Sequence, residues 1–264
     1  MFDSQAPIAA LELARRIGRA GERFHDPSDA RVVIAILTCE RNRMRVEGVR
    51  ASWLKHVPDS YRVLFVHGRP GQPSSLEGDC LHLDCPEAYE HLPQKMYKLL
   101  AFAEANLEFD FLFKTDDDTF LDLERFIAFD KSQAGYIGQF RETALGEIGR
   151  SWHYGKCSDK AYEVPYERAF VCPWATGGGY FLDRAAATIA LAKTQDTWRE
   201  HLFEDVMIGE ALTRDPDVRV GRARFADFGV INPLLPKDML YLQEVLLERR
   251  RMAEALLESR RDDR

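Results

Sequence analysis

Residues 111–120 read Phe-Leu-Phe-Lys-Thr-Asp-Asp-Asp-Thr-Phe, an apolar, strand-like run that stops on three consecutive carboxylates, Asp116, Asp117 and Asp118. Three adjacent like charges repel one another, and Asp is a poor strand former. A divalent cation would relieve that repulsion, since hard carboxylate oxygens suit Mg²⁺ or Mn²⁺. The carboxyl end of a strand in an open α/β sheet is also where ligands bind. The same three residues would serve equally as a solvated acidic turn capping the Leu121–Phe129 segment that follows.

Other residues with chemical potential surround this motif. Arg41, Arg43, Arg45 and Arg50 lie within ten residues, a plausible clamp for phosphate oxygens, which Arg grips bidentately. Arg50 is the preferred member; the competing reading is a solvated helix face. Lys95 and Lys98 stand one helical turn apart, facing either the same anion or solvent. Trp174-Ala-Thr-Gly-Gly-Gly-Tyr180 puts an aromatic and three glycines before a strand, where glycine lets backbone approach a ligand or simply makes a turn. Glu204 and Asp205 open a helix, as a helix cap would, or as a catalytic carboxylate would if a cleft holds it.

The elements that must carry these groups follow from apolar patterning. Val32–Leu37 is a short continuous apolar run, as expected of a strand buried on both faces. A helix over Arg43–Lys55, strands at Tyr61–His67 and Leu81–Leu83, a helix over Gln94–Asn106 behind Pro93 and a strand at Phe109–Lys114 follow in turn. This alternation predicts an α/β fold with a mostly parallel sheet and helices on both faces. Residues 138–172 read as long loops with a hairpin, the usual place for substrate-specific elements. A strand at Gly179–Asp183 and helices at Ala185–Lys193 and Val206–Thr213 come next. The divisions are a helical extension over 1–30, a main domain over 31–236 and a C-terminal helix over 237–264.

At 264 residues the chain can bury a full core. A net charge of −7 argues against a nucleic-acid partner. Cys39, Cys80, Cys85, Cys157 and Cys172 are odd in number and lack CxxC spacing, which argues against structural zinc. No stretch reads as a signal peptide or membrane span, so the expected location is cytoplasmic with reduced thiols. The C-terminal helix carries apolar Leu242, Val245, Leu246, Met252 and Leu256 beside mixed charge. It is a candidate for peripheral membrane or homo-oligomer contact, with protein packing preferred.

Five segments, in order, resemble the inverting β-1,3-glycosyltransferases of glycosyltransferase family 31, which includes galactosyl- and N-acetylglucosaminyltransferases and the Fringe enzymes. Val49-Arg-Ala-Ser-Trp53 resembles the family's R-x-T-W block, and Tyr89-Glu-His-Leu-Pro-Gln-Lys95 its Y-x-N-L-x-x-K block. Lys114-Thr-Asp-Asp-Asp-Thr-Phe120 resembles the K-T-D-D-D-x-F form of the DxD motif. Trp174–Tyr180 resembles Y-A-S-G-G-G-Y, and Glu204-Asp-Val206 matches E-D-V.

The resemblance implies a GT-A (Rossmann-like) fold, a UDP-sugar donor, a glycan or glycoconjugate acceptor and Mn²⁺ or Mg²⁺. It implies Asp118 as metal ligand, with Asp116 and Asp117 on nucleotide or metal, and Arg50 and Lys95 on the donor. Trp174, Gly177, Gly178 and Gly179 would shape the sugar pocket, and Asp205 would be the general base. Many relatives carry a metal-binding histidine beyond E-D-V, whereas no histidine follows His201 here. Asp227 or water is then the candidate substitute, and Ala226 a candidate for the histidine's own place. Animal members carry a membrane anchor in the Golgi that is not recognised here, which favours a bacterial or other cytoplasmic version. The competing functions are a Mg²⁺-dependent phosphohydrolase and a catalytically inactive nucleotide-sugar- or carbohydrate-binding protein.

Overall fold

The structure, a computed structural model, describes residues 30–141 and 145–262. The expected extension over 1–30 therefore lies, apart from Ala30, outside the described residues. The elements are β1 (Val32–Leu37), α1 (Arg43–Ala51), β2 (Tyr61–Gly68), β3 (Ser75–Glu77), β4 (Cys80–Leu83), α2 (Leu92–Asn106), β5 (Phe111–Asp116) and β6 (Phe120–Leu121). There follow α3 (Leu123–Ala128), β7 (Tyr136–Arg141), β8 (Trp174–Asp183), α4 (Arg184–Thr194), α5 (Glu204–Leu212), β9 (Val220–Arg222), β10 (Val230–Ile231) and α6 (Pro236–Asp262).

Period-two alternation along β1 explains the layering. Val33, Ala35 and Leu37 enter one core, with Met96, Leu99 and Leu100 of α2 and residues of α4 and α5. Val32, Ile34 and Ile36 enter the other, with Val46 and Val49 of α1, Phe126 of α3 and Met239 of α6. A strand that feeds two cores must be apolar at every position, as β1 is. The result is an α/β three-layer arrangement around an eight-stranded sheet ordered β3-β4-β2-β1-β5-β8-β7-β9.

The central strands β4, β2, β1 and β5 are parallel, whereas β8 runs antiparallel to both β5 and β7. That reversal decides where the site lies. Leu37 of β1 is level with Asp116 of β5, so both strands end together. Because β8 is antiparallel, Lys114 pairs with Tyr180, and the beginning of β8 stands at the same edge. β8 starts at Trp174 rather than Gly179, so the glycine triplet lies within the strand and not in a turn before it. A Cβ on Gly179 would lie 2.7 Å from the Phe113 ring, so glycine is what lets β8 pack here.

The first half of α6 packs on its own domain: Met239 is buried, and Leu242 and Leu246 rest on the second core. Leu240, Tyr241 and Met252 are exposed. No helix among the described residues is long and apolar enough to cross a membrane.

Phe113 is fully buried and rings with Phe126 and Phe181 at centroid distances of 4.8 and 4.6 Å. Phe113→Ala is expected to cost about 3–5 kcal/mol, the range for a deleted core aromatic, measured by urea unfolding.

Candidate active site

The loop after β1, the aspartates after β5, the start of β8 and the start of α5 enclose a cleft with two lobes. The smaller, about 380 Å³, is lined by Thr38, Arg41, Asn42, Arg45, Lys95 and Asp116–Asp118, among others. The larger, about 580 Å³, is walled by Trp152, Trp174, Phe203 and Phe225 and includes Glu204, Asp205 and Asn232. Tyr89, Leu92, Asp116 and Lys156 line both lobes and mark their junction.

The three aspartates do different things. Asp117 is buried and saturated: Thr38 Oγ1, Asn42 Nδ2 and Arg45 Nη1 donate to it at 2.7, 2.8 and 3.0 Å. Asp118 is half-buried and accepts from Asn232 Nδ2 at 2.7 Å and Arg45 Nη1 at 3.3 Å. Burial, followed by the charge of Asp116, raises its pKa above the ordinary carboxylate value. Asp116 gives one oxygen to Lys114 Nζ at 2.7 Å and leaves its side chain 41% exposed. Asp116 and Asp118 therefore keep carboxylate capacity facing the lobe, and their mutual repulsion makes a cation welcome. These hard oxygens fit Mg²⁺ or Mn²⁺, which is commonly held by one or two carboxylates with the substrate's phosphates completing the shell. Among the described residues no group of three or more His, Cys, Asp or Glu forms a preformed cage.

Lys114 is the centre of the site. Its buried ammonium contacts Asp116, the carbonyl of Gly177 at 2.8 Å and, in a short ion pair, Glu204. Burial opposes its charge, but Asp116 and Glu204 outweigh that and raise the pKa. Glu204 also accepts from Tyr180 Oη at 2.9 Å, and burial pushes its pKa up to about 7 against the pull of Lys114. One cation thus ties the DDD segment, the glycine strand and the head of α5 together.

Asp205, next to Glu204, also lines the larger lobe. It does not cap α5, whose N-cap is Phe203; instead its carboxylate accepts the Gly177 and Val206 N–H groups at 3.1 and 2.9 Å. Burial raises its pKa, with Lys114 and these two N–H groups opposing. A half-buried carboxylate with a raised pKa in a cleft suits proton abstraction.

The other expected site residues divide. Lys95 is buried at the smaller lobe, where Nζ donates to the Thr38 carbonyl at 2.8 Å, so it is no solvated face. Trp174, Gly177 and Gly178 line the larger lobe, whereas Gly179 is packed against Phe113 and does not. Arg50 is not at the cleft: it grips Asp79 bidentately at 2.6 and 2.7 Å and lies over the Phe65 ring. Arg45, five residues earlier on α1 and so on a different face, reaches the aspartates instead. Asp227 also stands apart, folded back on Arg224 at the surface. The group beside Asp118 is Asn232, for which sequence spacing gave no signal. Lys114 did carry one, a cation directly after the three apolar residues that open β5.

A family profile described as galactosyltransferase matches residues 71–223, more than half of the chain and spanning the DDD, glycine and Glu-Asp segments. The chain belongs to the galactosyltransferase family. It is a glycosyltransferase whose curated relatives form β-1,3 links by name. Mouse β-1,3-galactosyltransferase 6 is 27% identical over 259 residues, covering 85% of this chain and 77% of that protein. Zebrafish UDP-GalNAc:β-1,3-N-acetylgalactosaminyltransferase 2 is 28% identical over 163 residues, or 60% of this chain and 30% of that protein. A solved mannosyltransferase from Pyrobaculum calidifontis, in complex with GDP-Man and Mn²⁺, aligns over 87% of this chain and 66% of that one. Its TM-score is 0.38 at 11% identity, too loose a likeness to bear on this galactosyltransferase-family chain.

Since Arg50 holds Asp79 across half-exposed surface, Arg50→Ala is expected to cost about 1 kcal/mol, discounted for solvent screening. Urea unfolding should show that loss.

Proposed function

We propose that this glycosyltransferase is inverting and metal-dependent, moving a hexose from a UDP-sugar to a carbohydrate hydroxyl to form a β-1,3 link. The observation that carries the reading is the adjoining of two lobes: one holds the aspartates and cations, the other holds Asp205, and Asp116 lies between them. The smaller lobe suits the nucleotide diphosphate, with Arg41, Arg45 and Lys95 supplying positive charge. The larger lobe suits the acceptor, with aromatic walls beside polar Gln139, Arg141, Thr176, Asp205 and Asn232. The relatives' names support a galactose-type donor.

A divalent cation on Asp118 and Asp116 would supply Lewis-acid stabilisation of the departing diphosphate. The protein's own residues supply the rest. Asp205 accepts the proton of the attacking hydroxyl, and in-line attack on an α-linked donor gives a β-linked product. Gly177 N–H and the first turn of α5 fix the orientation of Asp205. Asp117, saturated by Thr38, Asn42 and Arg45, positions Arg45 rather than the metal.

The test measures UDP release and β-linked product from candidate UDP-sugars with and without Mn²⁺. Asp205→Asn is expected to fold, to bind UDP, and to transfer at least about a hundredfold more slowly. The base must be ionised, and burial raises its pKa, so the rate falls as pH drops through that raised value. The acid limb of the wild-type profile should therefore bend above about 3.9, the unperturbed aspartate pKa. Near-normal transfer by Asp205→Asn would move the base elsewhere, with Glu204 next to be substituted.

A further inference from the structure

We propose that Lys156, on the long loop between β7 and β8, takes up the charge that develops on the leaving diphosphate. The inference rests on the glycosyltransfer reading and adds a residue to it. Lys156 is the cation that lines both lobes, whereas Arg41, Arg45 and Lys95 line the smaller lobe and Arg141 the larger. The junction is where the bond between the sugar and the phosphate must break if the nucleotide fills one lobe and the acceptor the other.

Three of the other cations near the junction are already engaged with carboxylates or a carbonyl. Arg45 pairs with Asp117 and Asp118, and Lys114 with Asp116 and Glu204. Lys95 donates to the Thr38 carbonyl and lies 3.8 Å from Glu87. Among the described residues no carboxylate stands within 4.0 Å of the Lys156 ammonium, whose recorded neighbour is the Tyr89 ring, 5.3 Å from Nζ to centroid. Its charge is therefore available to an incoming anion.

The turn that presents Lys156 is fastened at both ends. Lys156 N–H donates to the His153 carbonyl at 3.0 Å, and Gly155 N–H to Glu163 at 2.8 Å. The buried His153 ring places Nε2 2.7 and 3.0 Å from the carbonyls of Tyr162 and Val164. The buried Glu90 carboxylate accepts the Ser158 and Asp159 N–H groups, each at 3.0 Å. Glu90 is the neighbour of Tyr89, so the segment that forms the junction also anchors the Lys156 turn.

The step balances without another reactant. The acceptor oxygen forms a bond to the anomeric carbon, and that carbon's bond to the β-phosphate oxygen breaks. The electron pair stays on the phosphate oxygen beside Lys156, and the acceptor proton goes to Asp205. A charge-assisted hydrogen bond of this kind corresponds to about tenfold or more in affinity.

The test titrates UDP and UMP, each with Mn²⁺, into wild type, Lys156→Met and Lys156→Arg, and measures sugar transfer by each. Lys156→Met should lose about tenfold or more of UDP affinity, keep its UMP affinity and melting temperature, and transfer more slowly. Lys156→Arg should recover most of both, because the cation is restored. An unchanged UDP-to-UMP preference in Lys156→Met overturns the proposal, as does an equal loss for both nucleotides. Wild-type protein that binds neither nucleotide and transfers no sugar overturns the glycosyltransfer reading itself, and the inference with it.

Discussion

The Lys114 ammonium sits where three segments far apart in sequence meet: Asp116 at the end of β5, the Gly177 carbonyl in β8 and Glu204 at the head of α5. Taking an ammonium out of water costs several kcal/mol, repaid only when its partners are close and its donors used. Here each partner belongs to a different part of the cleft. Moving any one of them would leave a buried charge uncompensated, so the three segments are confined to one relative placement. Asp118 and Asp205 inherit that placement, because each lies within two residues of a Lys114 partner.

The sheet reversal makes the meeting possible. In a wholly parallel sheet the start of each strand lies at the edge opposite the strand ends. With β8 antiparallel to β5, the beginning of one strand adjoins the end of the other. Trp174–Gly178 thus faces the aspartates, and Thr115 and Thr119 donate to the Gly178 carbonyl at 2.8 and 3.2 Å. Trp53, on the turn after α1, donates from Nε1 to the Thr119 carbonyl at 3.1 Å and joins a fourth segment to the group. The short blocks separated in sequence are joined by these bonds in space.

Much of this was legible in the chain itself. A two-faced apolar strand such as β1 announces burial without any partner being known, whereas three aspartates at the end of β5 read equally as a metal site or a solvated turn. The strands and helices at β1, α1, β2, β4, α2 and β5 are therefore visible in local patterning, whereas the short edge strand β3 is not. What local patterning lacks is register and direction. Whether β8 runs with or against β5 depends on long-range pairing, so the glycine segment read as lying before a strand, as a ligand approach or a turn, instead of as the strand's own beginning. Helical facing was the other gap: Arg45 and Arg50 are equivalent by composition, yet one meets Asp117 and the other Asp79. Asn232 and Lys156 are ordinary polar residues in sequence and gain their interest only from the cleft they border.

The claim that one buried cation couples the aspartate cluster to the helix that carries Asp205 is tested most directly by a double-mutant cycle. Lys114→Met, Glu204→Gln and the double variant would be unfolded in urea alongside wild type. The account predicts that the double variant is more stable than the sum of the single losses implies, with a coupling of about 2–3 kcal/mol, near the top of the range for contacting residues. Losses that simply add would contradict it, because they would show that Lys114 and Glu204 contribute to the fold independently.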